Sequence, residues 1–151
     1  MHIVSWNVNG IRAVVRSHAL SPLLTTYNPD VLCFQETKAQ PEQVTLALPT
    51  HPYHYWCSAE KKGYSGTAVF AKTAALSVGY GMGIERHDHE GRVLTTEFAD
   101  FFIVSVYVPN AKRDLSRLPD RQDWDACFLA YLNTLEQHKP VIFCGDFNVA
   151  H

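Results

Sequence analysis

Short apolar runs, each followed at once by a polar stretch bearing amides or carboxylates, set the rhythm of this 151-residue chain. Ile3, Val4, Trp6 and Val8 alternate well enough for a first strand over 2–8, which Asn7-Val8-Asn9-Gly10 ends. A short helix fits 11–16. Ser21-Pro22 reads as an N-cap followed by proline at the first helical position, opening a second helix that runs to Tyr27 and stops at Asn28-Pro29-Asp30. Val31-Leu32-Cys33-Phe34 is a continuous apolar strand, and Gln35-Glu36-Thr37-Lys38 hangs from its end. Residues 41–48 suit a short helix closed by Pro49. Strands are then expected over 53–58, 67–71, 76–80, 93–98 and 101–108, with Lys61-Lys62-Gly63-Tyr64-Ser65-Gly66 as a turn and a polar, glycine-containing loop between 80 and 93. From Asp120 the apolar residues Trp124, Cys127, Phe128, Tyr131, Leu132 and Leu135 line one face of a helix of about four turns. Val141-Ile142-Phe143 is the last strand, and Gly145-Asp146-Phe147-Asn148 follows it.

The composition is that of an ordinary globular domain, 46% hydrophobic and 19% charged. No apolar run approaches the ~20 residues of a membrane span, so no membrane partner is expected. With no signal peptide at Met1-His2-Ile3 and no Cys-x-x-Cys spacing, Cys33 and Cys144 read as buried free thiols in a reducing cytoplasm. His51/His54 and His87/His89 lack further ligands at useful spacing, which argues against structural zinc. The net charge of −2 excludes a non-specific basic coat for nucleic acid, but not a local basic face. Lys61-Lys62, and Lys112-Arg113 with Arg117 and Arg121, read on charge alone as solvated surface.

The strand ends carry the chemistry. Asn7 and Asn9, Glu36, Tyr107 and Asn110, and Asp146 and Asn148 each follow or close an apolar run. In open α/β sheets the working residues sit just beyond the carboxyl ends of strands. Singly, each residue has a plain reading as a turn or surface group. Together they put carboxylates, amides and a phenol at one rim. That is a hard oxygen set of the kind that suits Mg²⁺, and it points to metal-assisted hydrolysis of a phosphodiester.

Ser5-Trp6-Asn7-Val8-Asn9-Gly10-Ile11-Arg12-Ala13, Pro29-Asp30-Val31-Leu32-Cys33-Phe34-Gln35-Glu36-Thr37-Lys38, Gly63-Tyr64-Ser65-Gly66, Tyr107-Val108-Pro109-Asn110-Ala111 and Gly145-Asp146-Phe147-Asn148-Val149-Ala150-His151 resemble, in order, the motifs of one family. It is the exonuclease III class of apurinic/apyrimidinic endonucleases, within the endonuclease/exonuclease/phosphatase superfamily. The resemblance implies cleavage of DNA 5′ to abasic sites, 3′–5′ exonuclease action, or both, with Mg²⁺ (or Mn²⁺) as cofactor and DNA as partner, in a cytoplasmic, nucleoid-associated repair setting. It implies metal-site roles for Asn7, Glu36, Asp146 and Asn148, water activation by Asp146 with Asn148 orienting, and a phosphate contact by Tyr107. Tyr64, Asn110, Arg113 and Arg117 then fall where relatives approach the DNA backbone, and the basic loop becomes a phosphate contact. Lys38 steadies the glutamate or reaches phosphate. Asn9 stands where some relatives carry aspartate.

Relatives of that class continue well beyond this length, and their second half completes the site; His151 is not their catalytic histidine. Residues 1–151 are therefore expected to be one incomplete domain, half of a four-layered, deoxyribonuclease I-like α/β sandwich. It would hold one mixed, mostly antiparallel sheet with helices on one face. Six strands at ~4.8 Å spacing and ~17 Å length would leave roughly 500 Å² of apolar sheet face uncovered. Such a face calls for self-association or a second-half polypeptide. Two other readings stay open: the same metal site acting on another phosphodiester or a phosphomonoester, and a non-catalytic half that binds DNA.

Overall fold

The computed structural model describes residues 1–149; Ala150 and His151, and with them the end of the last motif, lie outside the described residues. The strands are β1 (Ile3–Asn7), β2 (Val31–Gln35), β3 (Tyr53–Cys57), β4 (Thr67–Ala71), β5 (Ser77–Tyr80), β6 (Val93–Glu97), β7 (Phe102–Tyr107) and β8 (Val141–Asp146). The helices are α1 (Ile11–Arg16), α2 (Leu20–Tyr27), α3 (Glu85–Asp88) and α4 (Leu118–Glu136).

The α/β expectation holds, but the expected single sheet is two. One has the order β1-β2-β4-β3, the other β5-β6-β7-β8. In each, the edge strand at the working end runs parallel to its neighbour (β1 with β2, β8 with β7) and the remaining pairs are antiparallel. The two sheets pack face to face. Val31, Cys33, Val69 and Ala71 of the first sheet meet Leu94 and Ile103 of the second in one buried cluster. The outer face of the first sheet, with Leu32, Phe34, Ala68 and Phe70, is covered by Ile11, Val14 and Leu20 of α1 and α2. Val93, Val104 and Val106 face Trp124, Phe128 and Leu132 of α4. All four layers are thus present among the described residues.

The uncovered sheet face is a second correction. Strands apolar on both sides do require cover on both sides, and here the other sheet supplies it. Nothing in the period of a strand says which strands are its neighbours, so the fold-over after β4 was not visible in the pattern. What stays open is the edge. Ile142 and Phe143 on β8, 42% and 47% exposed, lie along the sandwich edge shared with β1.

Smaller differences have local causes. The second helix starts at Leu20, with Ala19 rather than Ser21 at its cap position, because the buried Leu20 docks under the first sheet. Residues 41–48 form only a 3-10 turn at Pro41–Gln43, closed by reciprocal hydrogen bonds between Gln40 and Gln43. The long helix begins two residues earlier than expected and buries Trp124, Phe128 and Leu132 on a stripe four residues apart. Cys33 is buried and Cys144 half-buried, and all four cysteines are unbridged.

Candidate active site

Parallel pairing decides where the site lies. Because β1 runs with β2 and β8 with β7, in registers Asn7↔Gln35 and Tyr107↔Asp146, four strands end on one rim. Beneath it Gln35, 1% exposed, donates to Ser105 Oγ at 3.1 Å and accepts from Ser5 Oγ at 3.3 Å, tying the two sheets together.

On the rim, Asn7 bridges the sheets. Its Nδ2 donates to Glu36 Oε1 at 2.8 Å and to Asp146 Oδ2 at 2.7 Å, so one amide spans both carboxylates. Its Oδ1 accepts from the Asn9 N–H at 3.0 Å. Lys38 Nζ sits 2.8 Å from Glu36 Oε2 and also donates to Asn9 Oδ1. Burial alone would push the Glu36 carboxyl upward; the donors Asn7 and Lys38, the charge of Lys38 and the Tyr107 phenol outweigh it, and the group ends below the usual glutamate range. Tyr107 is pushed the other way, to about 12, first by burial and then by the neighbouring Glu36 charge. It is therefore a phenol at any physiological pH, able to donate but not to act as base.

Asp146 is held differently. Besides Asn7, it accepts from the Asn148 backbone N–H at 3.0 Å, and Asn148 Nδ2 donates to Val108 O at 2.7 Å. Gly145 brings β8 this close to β7: a Cβ there would lie 1.8 Å from the Val106 carbonyl oxygen. Glu36, Lys38, Asn9 and Asn148 all adopt left-handed backbone (φ 52°, 50°, 43° and 47°). Such conformations cost of order 1–3 kcal/mol each and persist where the surroundings impose them, often at functional sites. A groove of about 720 Å³ opens beside the rim, lined by Asn7, Gln35, Gly145, Asp146 and Asn148.

The residues expected to form the metal and reaction centre (Asn7, Glu36, Tyr107, Asp146 and Asn148) therefore converge. The expected DNA contacts lie around them. Tyr64 hydrogen-bonds Arg92 and carries Lys61 Nζ 5.3 Å above its ring. Asn110 and Arg117 line a second cavity of about 300 Å³, and Arg113 is exposed on the same loop.

Several residues escaped the sequence reading. Arg121, read there as part of a basic cluster, donates to the carbonyls of Pro109, Phe147 and Asn148 and pairs with Asp125 at 2.8 Å, so it clamps the loops after β7 and β8 together. Arg12 and Arg16, beside Lys38, line a cleft of about 620 Å³ beyond Gly10 and put positive charge next to the rim. The sequence places Arg12 in a motif and Arg121 in a basic cluster, but the groups they meet come together only in the fold, so neither role is legible from spacing. His87, Asp123 and Cys127 cluster closely enough to hold an ion. The Arg86 guanidinium already stands there, 2.9 Å from Asp123 Oδ2 and 3.6 Å from Cys127 Sγ, in place of a cation.

The family model described as Endonuclease/Exonuclease/phosphatase family matches residues 4–151. The chain belongs to that family. It is 51% identical over 151 residues to an exodeoxyribonuclease of Bacillus subtilis, covering all of this chain and 60% of that protein. It is also 51% identical, over 156 residues, to the DNA repair nuclease APEX1 of Danio rerio, covering 50% of it. Among solved structures, an AP endonuclease from Archaeoglobus fulgidus superposes with a TM-score of 0.84 at 28% identity, over 99% of this chain and 58% of that one. The AP endonuclease of Leishmania major gives 0.81 at 30%, over 98% and 55%. The chain thus spans about half to three-fifths of the length of these relatives.

Proposed function

We propose that this chain carries the metal-binding and water-activating part of a DNA-repair phosphodiesterase, acting 5′ to abasic sites, as a 3′–5′ exonuclease, or both. One observation supports this above the rest: the Asn7 amide holds Glu36 and Asp146 together at a rim where a protonated Tyr107 also points. The names of the relatives point to the same class of reaction.

Glu36, Asp146, Asn7 and Asn148 form a donor set of carboxylates and amides, which fits Mg²⁺, with Mn²⁺ as a substitute. A nitrogen pointing between two carboxylates marks a spot that favours positive charge, and the amide can turn its oxygen there instead. The ion, when bound, supplies charge neutralisation at the phosphate and a more acidic water. The chain's own groups do the rest. Tyr107 donates its phenolic proton to a phosphate oxygen, Asp146 takes the proton of the attacking water, and Asn148 orients that water. Tyr64, Asn110, Arg113 and Arg117 hold the backbone on either side.

We further propose that residues 1–151 fold as one incomplete domain of this family, that full turnover belongs to a protein of the relatives' length, and that the 151-residue chain alone cleaves negligibly. The apolar β8 edge, beside β1, is where a second-half polypeptide or a second copy would sit. Such a protein works beside the chromosomal DNA. No helix among the described residues is long and apolar enough to cross a membrane.

The test compares the 151-residue chain with the chain continued to the length of its relatives, on duplex DNA carrying one abasic site, with Mg²⁺ and with chelator. Inositol phosphate and sphingomyelin serve as competing substrates. Mg²⁺-dependent incision of the DNA by the longer form, abolished by Asp146→Ala, is expected. Preference for either other substrate, or DNA binding without incision, would replace the proposal. Robust turnover by the 151-residue chain, or a monodisperse monomer that binds no hydrophobic dye, would overturn the requirement for a second half.

A further inference from the structure

We propose that Arg92 is a positioning residue, a buried cation that sets the Tyr107 ring at the cleavage rim and the Tyr64 hydroxyl at the DNA-facing turn as one unit. The proposal rests on the functional reading above. Arg92 directly precedes β6, and its residue is 4% exposed. Its guanidinium uses three directions. Nε meets Glu90 Oε2 at 2.6 Å, Nη1 donates to the Tyr107 carbonyl at 3.0 Å, and Nη2 donates to Tyr64 Oη at 3.0 Å. Its Cζ also lies 4.7 Å from the centre of the Tyr107 ring and 5.8 Å from that of Tyr64. The backbone closes the arrangement, since the Tyr107 N–H donates to the Arg92 carbonyl at 2.8 Å.

A buried guanidinium is costly to desolvate, and a single partner such as Glu90 rarely repays it fully. This one adds faces and edges to two rings that come from different sheets: Tyr107 closes β7, and Tyr64 belongs to the turn between β3 and β4. Stacking and forked donation need a planar, fixed set of N–H groups, which lysine lacks. Arg92 touches neither of the carboxylates at the rim, so its effect reaches the reaction through Tyr107, and reaches DNA affinity through Tyr64. The purely structural alternative is an ion pair with Glu90 that does no more than anchor the start of β6.

Steady-state kinetics on abasic duplex with Arg92→Lys separate the two, using whichever form turns over, the 151-residue chain or the chain continued to the relatives' length. Misplacing a reacting group by an ångström costs on the order of 10²-fold, so kcat is expected to fall about 10- to 100-fold, with a smaller rise in KM. In a Tyr107→Phe background the same substitution should cost less than about 2-fold in kcat, because no hydroxyl remains to be placed. The pair Glu90→Gln/Arg92→Met, which removes both buried charges together, should lose kcat as Arg92→Lys does. An undiminished Arg92→Lys loss in the Tyr107→Phe background, or near wild-type kcat in either Arg92 variant, would overturn the proposal. Ring signals in ¹³C-tyrosine NMR give a readout free of activity. Those of Tyr64 and Tyr107 should shift in Arg92→Lys, while Tyr131 and Tyr55, bonded to Thr95 and to the Ala75 N–H, stay in place. Unmoved Tyr64 and Tyr107 signals refute the positioning role. If no form cleaves DNA, the functional reading falls and the NMR result alone decides what Arg92 holds.

Discussion

The β1–β2 end and the β7–β8 end of the rim each deliver one carboxylate, but they treat it in opposite ways. Glu36 meets a cation, Lys38, together with donors from Asn7 and Tyr107, and is held below the usual glutamate range. Asp146 meets only neutral donors among the described residues, the Asn7 amide and the Asn148 N–H. A carboxylate already matched by positive charge is a poor proton acceptor and a dependable anionic ligand. In the proposed function this difference fits Glu36 as a dedicated ligand and Asp146 as the group that also takes the proton of the water, with Asn7 bonded to both.

Asp146→Asn should break this division most severely. It preserves shape and removes the base, so in the cleavage-competent form kcat should drop about 10²- to 10⁴-fold, while the urea midpoint hardly moves. A drop of less than 10-fold in single-turnover cleavage would mean that Asp146 is not the base. Glu36→Gln should act on the metal instead. Saturation with Mg²⁺ is expected to need about 10- to 100-fold more ion, with much of kcat recovered at saturation. If both variants fail alike at every Mg²⁺ concentration, the two acids do one job and the division is wrong.

The two ends also differ in how much of them could be read from the chain. Glu36 and Asp146 announce themselves because each follows an unbroken apolar run, and the motif order places Asn7, Tyr107 and Asn148 around them. The element pattern was equally plain for β2 and β4, which are buried at every position, and for α4, whose buried residues follow its apolar stripe. The pairing of strands into two sheets was not, because Val31 and Leu94 are equally apolar whether they share a sheet or face one another. Nor were the roles of Arg92 and Arg121: the sequence shows at most their nearby acids, Glu90 and Asp125, while the carbonyls and rings they join are brought near only by the fold.

A smaller effect probes the backbone of the second end. Gly145 is the one place where β8 could carry no side chain, since a Cβ would meet the Val106 carbonyl. Gly145→Ala should push β8 from β7 and destabilise the fold by about 1–3 kcal/mol, as overpacking does. It should also carry Asp146 out of reach of Asn7. Urea unfolding beside Mg²⁺ titration checks both, and an unchanged midpoint would show that β8 has slack.

The mildest test concerns the first end, and its sign follows from the direction of the Glu36 shift. Glu36 is depressed in the folded state, so its contribution to stability is present above the unfolded value of about 4.3 and is lost as pH falls through the folded value. Lys38→Met removes a half-exposed partner, whose side chain is 33% exposed. The loss at pH 7 should therefore be no more than about 1 kcal/mol after screening. Burial is the largest single influence on Glu36 and pushes upward. Without Lys38 the carboxyl should rise, and the acid-side loss of stability should begin at a higher pH than in the parent. Below the folded value of the parent both proteins carry a protonated Glu36, Lys38 has no anion to meet, and the two stabilities should converge. Urea unfolding at pH 7 and at pH values below 4, in low and high salt, measures the gap. A gap that ignores both pH and salt would mean that Lys38 packs at the rim without neutralising Glu36, and the contrast between the two carboxylates would then lose its main support, because Asn7 donates to both alike.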